Sequence, residues 1–133
     1  MTKIKGTTAL ATVLALSACV APAHEVIRDN PGGDILAFIR EREVMKRSGK
    51  QYMISGYCGS ACTMFLSLPN VCVHPDAQLG FHWPPTNAEG WKHFYTNNLP
   101  EAMTAWFLDG HDREPATWIT GRQAIRLGAN PCN

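Results

Sequence analysis

Residues 51–68 read QYMISGYCGSACTMFLSL, and the join inside this stretch decides the architecture. Gln51 to Tyr57 reads as a strand. It runs without a linker into Cys58-Gly59-Ser60-Ala61-Cys62, after which Met64, Phe65, Leu66 and Leu68 predict a helix starting at or just after Ser60. A strand feeding directly into a helix is the building unit of an α/β domain.

The same alternation continues in both directions. Upstream, Glu25 to Arg28 is a short extended stretch, and Asp29-Asn30-Pro31-Gly32-Gly33 forces a turn that leaves backbone N–H groups free. Asp34 is a good N-cap for a helix with Ile35, Phe38, Ile39 and Met45 on its apolar side. Arg40, Glu41, Arg42 and Glu43 lie on the wet side, and the helix ends near Ser48-Gly49. Downstream, Pro69-Asn70 stops the second helix, Val71-Cys72-Val73 is a short buried strand, and Asp76-Ala77 makes a turn. Leu79 to His82 is a further strand, broken by Trp83-Pro84-Pro85. Asn87 to Leu108 suits one or two helices interrupted near Pro100, Asp109 to Pro115 is a polar turn, and Thr120 to Leu127 is a last amphipathic helix closed by Gly128.

The first 23 residues, MTKIKGTTALATVLALSACVAPA, have a basic start at Lys3 and Lys5, an apolar run from Ala9 to Ala18, and small residues after it. That is the pattern of an export signal, and the run is too short for a bilayer span. Two processing routes overlap. Leu16-Ser17-Ala18-Cys19 resembles a lipobox, which would acylate Cys19 and anchor the protein to a membrane. Ala21-Pro22-Ala23 fits ordinary signal peptidase and a soluble periplasmic product. The expected division is therefore a leader over 1–23 and one α/β domain over 24–133. The chain of 133 residues carries 12 Lys+Arg against 11 Asp+Glu, and the leader holds two of those cations. So balanced a chain lacks the basic footprint that nucleic-acid binding requires.

Beyond the leader remain Cys58, Cys62, Cys72 and Cys132, an even number that predicts two disulfides in an oxidising compartment. Three connectivities are open. The arrangement favoured by the strand ends joins Cys58 to Cys72 and Cys62 to Cys132. C-x-x-x-C and scattered histidines do not make a zinc set, so neither a metal nor another cofactor is expected. His74, His93 and His111 have no partners in the pattern and read as structural or surface residues.

Three segments could share one site. Ser60, flanked by small residues at a strand-to-helix turn, can expose its hydroxyl beside the positive end of a helix. His82 ends a strand that could lie next to the first, within reach of that hydroxyl as a base. The glycine turn offers N–H donors to a developing oxyanion. Each signal has a plainer reading as well: Ser60 as an N-cap, His82 as a packed strand-end histidine, and Gly32-Gly33 as a turn alone.

Taken in order, Asn30-Pro31-Gly32-Gly33-Asp34, Gly59-Ser60-Ala61, Phe81-His82 before Pro84, and Thr120-Gly121-Arg122-Gln123-Ala124-Ile125-Arg126-Leu127-Gly128 resemble the Clp protease proteolytic subunit and its crotonase-superfold relatives. The narrower likeness is to predicted periplasmic Clp-protease-like proteins, and it covers roughly residues 26–130. The resemblance implies a spiral of short ββα units and a serine hydrolase acting on peptides, and export makes it an ATP-independent one, since ATP is not expected outside the cytoplasm. Ser60 would be nucleophile, His82 general base, and the Gly33 and Ala61 N–H groups the oxyanion hole. It implies no cofactor.

Two departures stand out. Where the family carries its catalytic Asp this chain has Pro115-Ala116-Thr117-Trp118, leaving Asp112, with Glu114 beside it, as candidate third member. The strand–helix unit that normally precedes the glycine turn is also missing, so the domain is N-terminally shortened. An exposed sheet edge is expected, and with it either completion of the core by homo-oligomer assembly or a decayed or truncated copy of the fold. The rival expectations are a catalytically silent envelope lipoprotein that keeps the fold for binding or assembly, and a crotonase-type acyl-thioester enzyme.

Overall fold

The computed structural model describes residues 23–83 and 89–133. Residues 1–22 of the leader, with Cys19, the Pro84-Pro85 break and the start of the following helix at Asn87 lie outside the described residues. The described chain is mixed α/β. Its elements are β1 (Glu25–Asn30), α1 (Ile35–Arg47), β2 (Tyr52–Gly59), a 3-10 helix (Ser60–Ser67), β3 (Val71–Val73), β4 (Gln78–Phe81), α2 (Glu89–Asn97), α3 (Glu101–Trp106), a wide turn over Phe107–His111, β5 (Thr117–Thr120) and α4 (Gly121–Arg126). Among the described residues no helix is long and apolar enough to cross a membrane.

The strands form one sheet in the order β1-β2-β4-β5, with β3 also paired to β2. β1, β3 and β4 all run parallel to β2, and β5 is antiparallel to β4. β3 pairs with the first half of β2, Cys72 opposite Met53, whereas β4 pairs with its last residues, Gly59 opposite Gly80. Parallel strands joined by crossovers put their connections on the sheet faces. Here Ile54, Leu79, Phe81 and Ile119 bury against Phe65, Met64, Tyr95, Met103 and Phe107.

Local chemistry sets the helix limits. Asp34 accepts from the Ala37 N–H at 2.7 Å and so caps α1, as its position predicts. Arg42 departs from the predicted wet face: its guanidinium donates to the Met64 carbonyl at 3.1 Å and to Ser67 Oγ at 2.7 Å, tying α1 to the 3-10 helix. Thr120 and Gln123 form a reciprocal capping box at α4. A Cβ on Gly121 would collide with the His74 carbonyl, so only glycine lets α4 start against that turn.

Two disulfides form, with a connectivity that corrects the expected one. Cys58 pairs with Cys62, and Cys72 with Cys132. The register is the reason. Because Cys72 sits opposite Met53, it lies five residues, about 16 Å, along the strand from Cys58. Cys62 is one turn beyond Cys58. Cys132 reaches Cys72 because the segment after α4 closes on β3, with the Val73 N–H donating to the Asn130 carbonyl at 2.8 Å.

Candidate active site

β1, β2 and β4 end on the same side of the sheet, and the three segments singled out in the sequence follow from those ends. A crevice outside the carboxyl ends of parallel strands is where open α/β sheets bind ligands. β1 closes on Asn30, which is paired with Cys58 after a bulge. The Asn30 side-chain oxygen accepts from the Gly32 N–H at 2.9 Å, fixing the turn. Gly32 has φ +81° and packs against the start of the next segment. A Cβ there would sit 2.5 Å from the Gly59 carbonyl oxygen, 2.8 Å from Ser60 Cβ and 2.9 Å from the Ala61 nitrogen. The glycine therefore permits contact between the turn and the end of β2. The N–H of Gly33 has no partner among the described residues. That of Ala61 falls in the first turn of the 3-10 helix, where intrahelical acceptors are lacking.

Ser60 has φ +54°. A left-handed backbone costs a non-glycine residue about 1–2 kcal/mol, so its surroundings must hold it there. Part of that hold is a buried relay. Thr63 Oγ1 donates to the Ser60 carbonyl at 2.7 Å, and its one hydrogen being thus committed, the Tyr95 hydroxyl donates to Thr63 Oγ1 at 2.7 Å. Burial pushes the Tyr95 phenol well above its ordinary value near 10. A phenol harder to ionise when folded gives stability that is complete below pH 10 and declines as pH rises beyond it. Tyr95→Phe should make the alkaline loss of stability less steep and cost about 1 kcal/mol at neutral pH, as read by urea unfolding at pH 7 and 11.

His82 follows β4. Its Nδ1 lies 2.7 Å from the Trp83 carbonyl and 3.3 Å from Glu114 Oε1. A carbonyl only accepts, so Nδ1 carries the proton and Nε2 presents a lone pair, the tautomer a base requires. Nε2 has no partner among the described residues. Asp112, the candidate third member, is engaged elsewhere: its Oδ2 accepts from Trp83 Nε1 at 3.0 Å. Glu114, two residues later, is the carboxylate that reaches the histidine, because the chain turns there to enter β5 beside Phe81. No hydrogen bond joins Ser60 Oγ to His82 among the described residues. Their strands end side by side, Gly59 opposite Gly80, at the 4.7–4.9 Å spacing typical of neighbouring strands.

Sequence reading missed four contributors. Asn30 was legible as an Asx residue before Pro-Gly-Gly, but Thr63, Tyr95 and the Trp83 carbonyl gave no local signal. Trp118 is a fifth feature: its indole, on a residue half exposed at 50%, covers the backbone of Gly80 and Gly59. A Cβ at Gly80 would lie 2.7 Å from that ring.

An apolar cleft of about 380 Å³ is lined by Leu36, Ile39, Gly90, Trp91 and Phe94. Leu36 stands three residues after Gly33, so the cleft opens along the first turns of α1. A larger one near Pro69 and Pro100 contains none of the candidate residues.

Comparison with protein-family models and with curated proteins finds no match to this chain.

Proposed function

We propose that the chain is an exported, ATP-independent serine hydrolase acting on peptides, with a fold of the Clp-protease/crotonase kind. One observation carries the reading: a left-handed serine, two N–H groups without acceptors among the described residues and a histidine of the required tautomer follow three adjacent parallel strand ends. In this reading Ser60 Oγ attacks the scissile carbonyl while His82 Nε2 takes its proton. The Gly33 and Ala61 N–H groups hold the oxyanion, and His82 returns the proton to the leaving amine. The Trp83 carbonyl and Glu114 orient the imidazole. The apolar cleft beside α1 suits a substrate with an apolar side chain. The free edge of β1 supports assembly with further copies, and the leader supports export with either acylation at Cys19 or cleavage after Ala23.

A fluorophosphonate probe tests this directly. The mature protein should label on one serine, and Ser60→Ala should reduce labelling to background. The second reading, a silent envelope module, draws on the missing hydrogen bond between Ser60 and His82. It predicts a folded protein that never labels.

A further inference from the structure

We propose that the Cys58–Cys62 disulfide is a positioning device for catalysis, a covalent ring that keeps Ser60 Oγ and the Ala61 N–H in reacting geometry. The proposal rests on the hydrolase reading of Ser60. The bond closes a ring of five residues, Cys58-Gly59-Ser60-Ala61-Cys62, in which the candidate nucleophile is central and an oxyanion donor is its neighbour.

Both ends of the ring are anchored. Cys58 is paired with Leu79 in the sheet and Cys62 lies in the 3-10 helix, and both side chains are fully buried. Their Cα atoms stand 5.5 Å apart, where an extended chain of that length would span about 13 Å. The strand therefore cannot continue. Backward growth of the helix is barred as well, because Cys58 is already committed to β4. What remains for the three residues between is a sharp turn: Gly59 stays extended at φ −113°, and Ser60 takes the left-handed conformation.

The second disulfide provides an internal contrast. Cys72 and Cys132 are sixty residues apart and neither belongs to the candidate site. That bond constrains the whole domain, whereas Cys58–Cys62 brackets Ser60, a residue whose backbone is left-handed. A five-residue ring restricts the unfolded chain about half as much as a sixty-residue loop, so its loss should cost less global stability, and its distinctive effect should appear in reactivity.

The experiment compares wild type with Cys58→Ala/Cys62→Ala and with Cys58→Val/Cys62→Ala, in which a branched side chain refills the buried site. Fluorophosphonate labelling is resolved into a saturating rate and a probe affinity. In both folded variants the saturating rate should fall about a hundred-fold, the scale of an ångström-level misplacement, with probe affinity changing less than about two-fold. Amide exchange at Thr63 and Met64, in the helix turn that follows Ser60, should quicken at least about ten-fold, while α4 is unchanged. Wild-type rates in either folded variant overturn the proposal, as does a loss in the alanine pair that the valine pair restores. If wild type itself never labels, the hydrolase reading fails, and the exchange measurement alone decides whether the bond holds the turn.

Discussion

Replacing His82 with alanine should slow fluorophosphonate labelling of Ser60 by about a thousand-fold, within the range contributed by a positioned general base. Glu114→Gln should slow it by less than about ten-fold. The difference follows from how the imidazole is held. The Trp83 carbonyl lies closer to Nδ1 than Glu114 does, 2.7 Å against 3.3 Å, and fixes the tautomer without help. The Glu114 side chain is 69% exposed, so solvent screens its charge and its hold on the protonated ring is weak. In a serine protease whose triad Asp is buried, replacing that Asp by Asn lowers kcat by about four orders of magnitude. This geometry does not support so large a dependence. Equal losses in the two variants would mean that Glu114, not the backbone carbonyl, orients the base.

Removing the other cross-link should have the largest effect on stability. The Cys72–Cys132 bond closes a loop across sixty residues, for which chain entropy gives about 4 kcal/mol. At about 4 °C per kcal/mol for a domain of this size, Cys72→Ala/Cys132→Ala should lower the melting temperature by roughly 15–20 °C, measured by thermal circular dichroism. The loss is concentrated where the segment after α4 lies on β3, held there also by the Asn130 side-chain amide, which donates to the Leu68 and Val71 carbonyls. A shift under about 5 °C would show that those polar contacts close the domain without the bond.

The parts of the fold that were legible in the sequence are those whose causes are local. Asp34 caps α1 as its position predicts, Pro100 separates α2 from α3, and the alternation of strands and helices follows from short apolar runs punctuated by Gly and Pro. β5 went unread because Thr117-Trp118-Ile119-Thr120 is four residues long and is a strand only through its pairing with β4. The disulfide connectivity was hidden for a related reason: β2 gives its first half to β3 and its end to β4, and that division sets which sulfurs meet. Within the candidate site, sequence reading singled out the glycine turn, Ser60 and His82, and the resemblance added the Gly33 and Ala61 N–H groups; their segments do follow neighbouring strand ends. The choice between Asp112 and Glu114 depended on the path of the chain into β5, which spacing alone does not define.

The unequal spans of the two cross-links decide which can close first. A chain that emerges amino end first presents Cys62 almost as soon as Cys58, so the small ring can close while most of the domain is still to come. Cys72 must wait for sixty more residues before its own partner arrives. The serine turn is thus available for covalent setting at the outset, and the clasp on the finished body comes last.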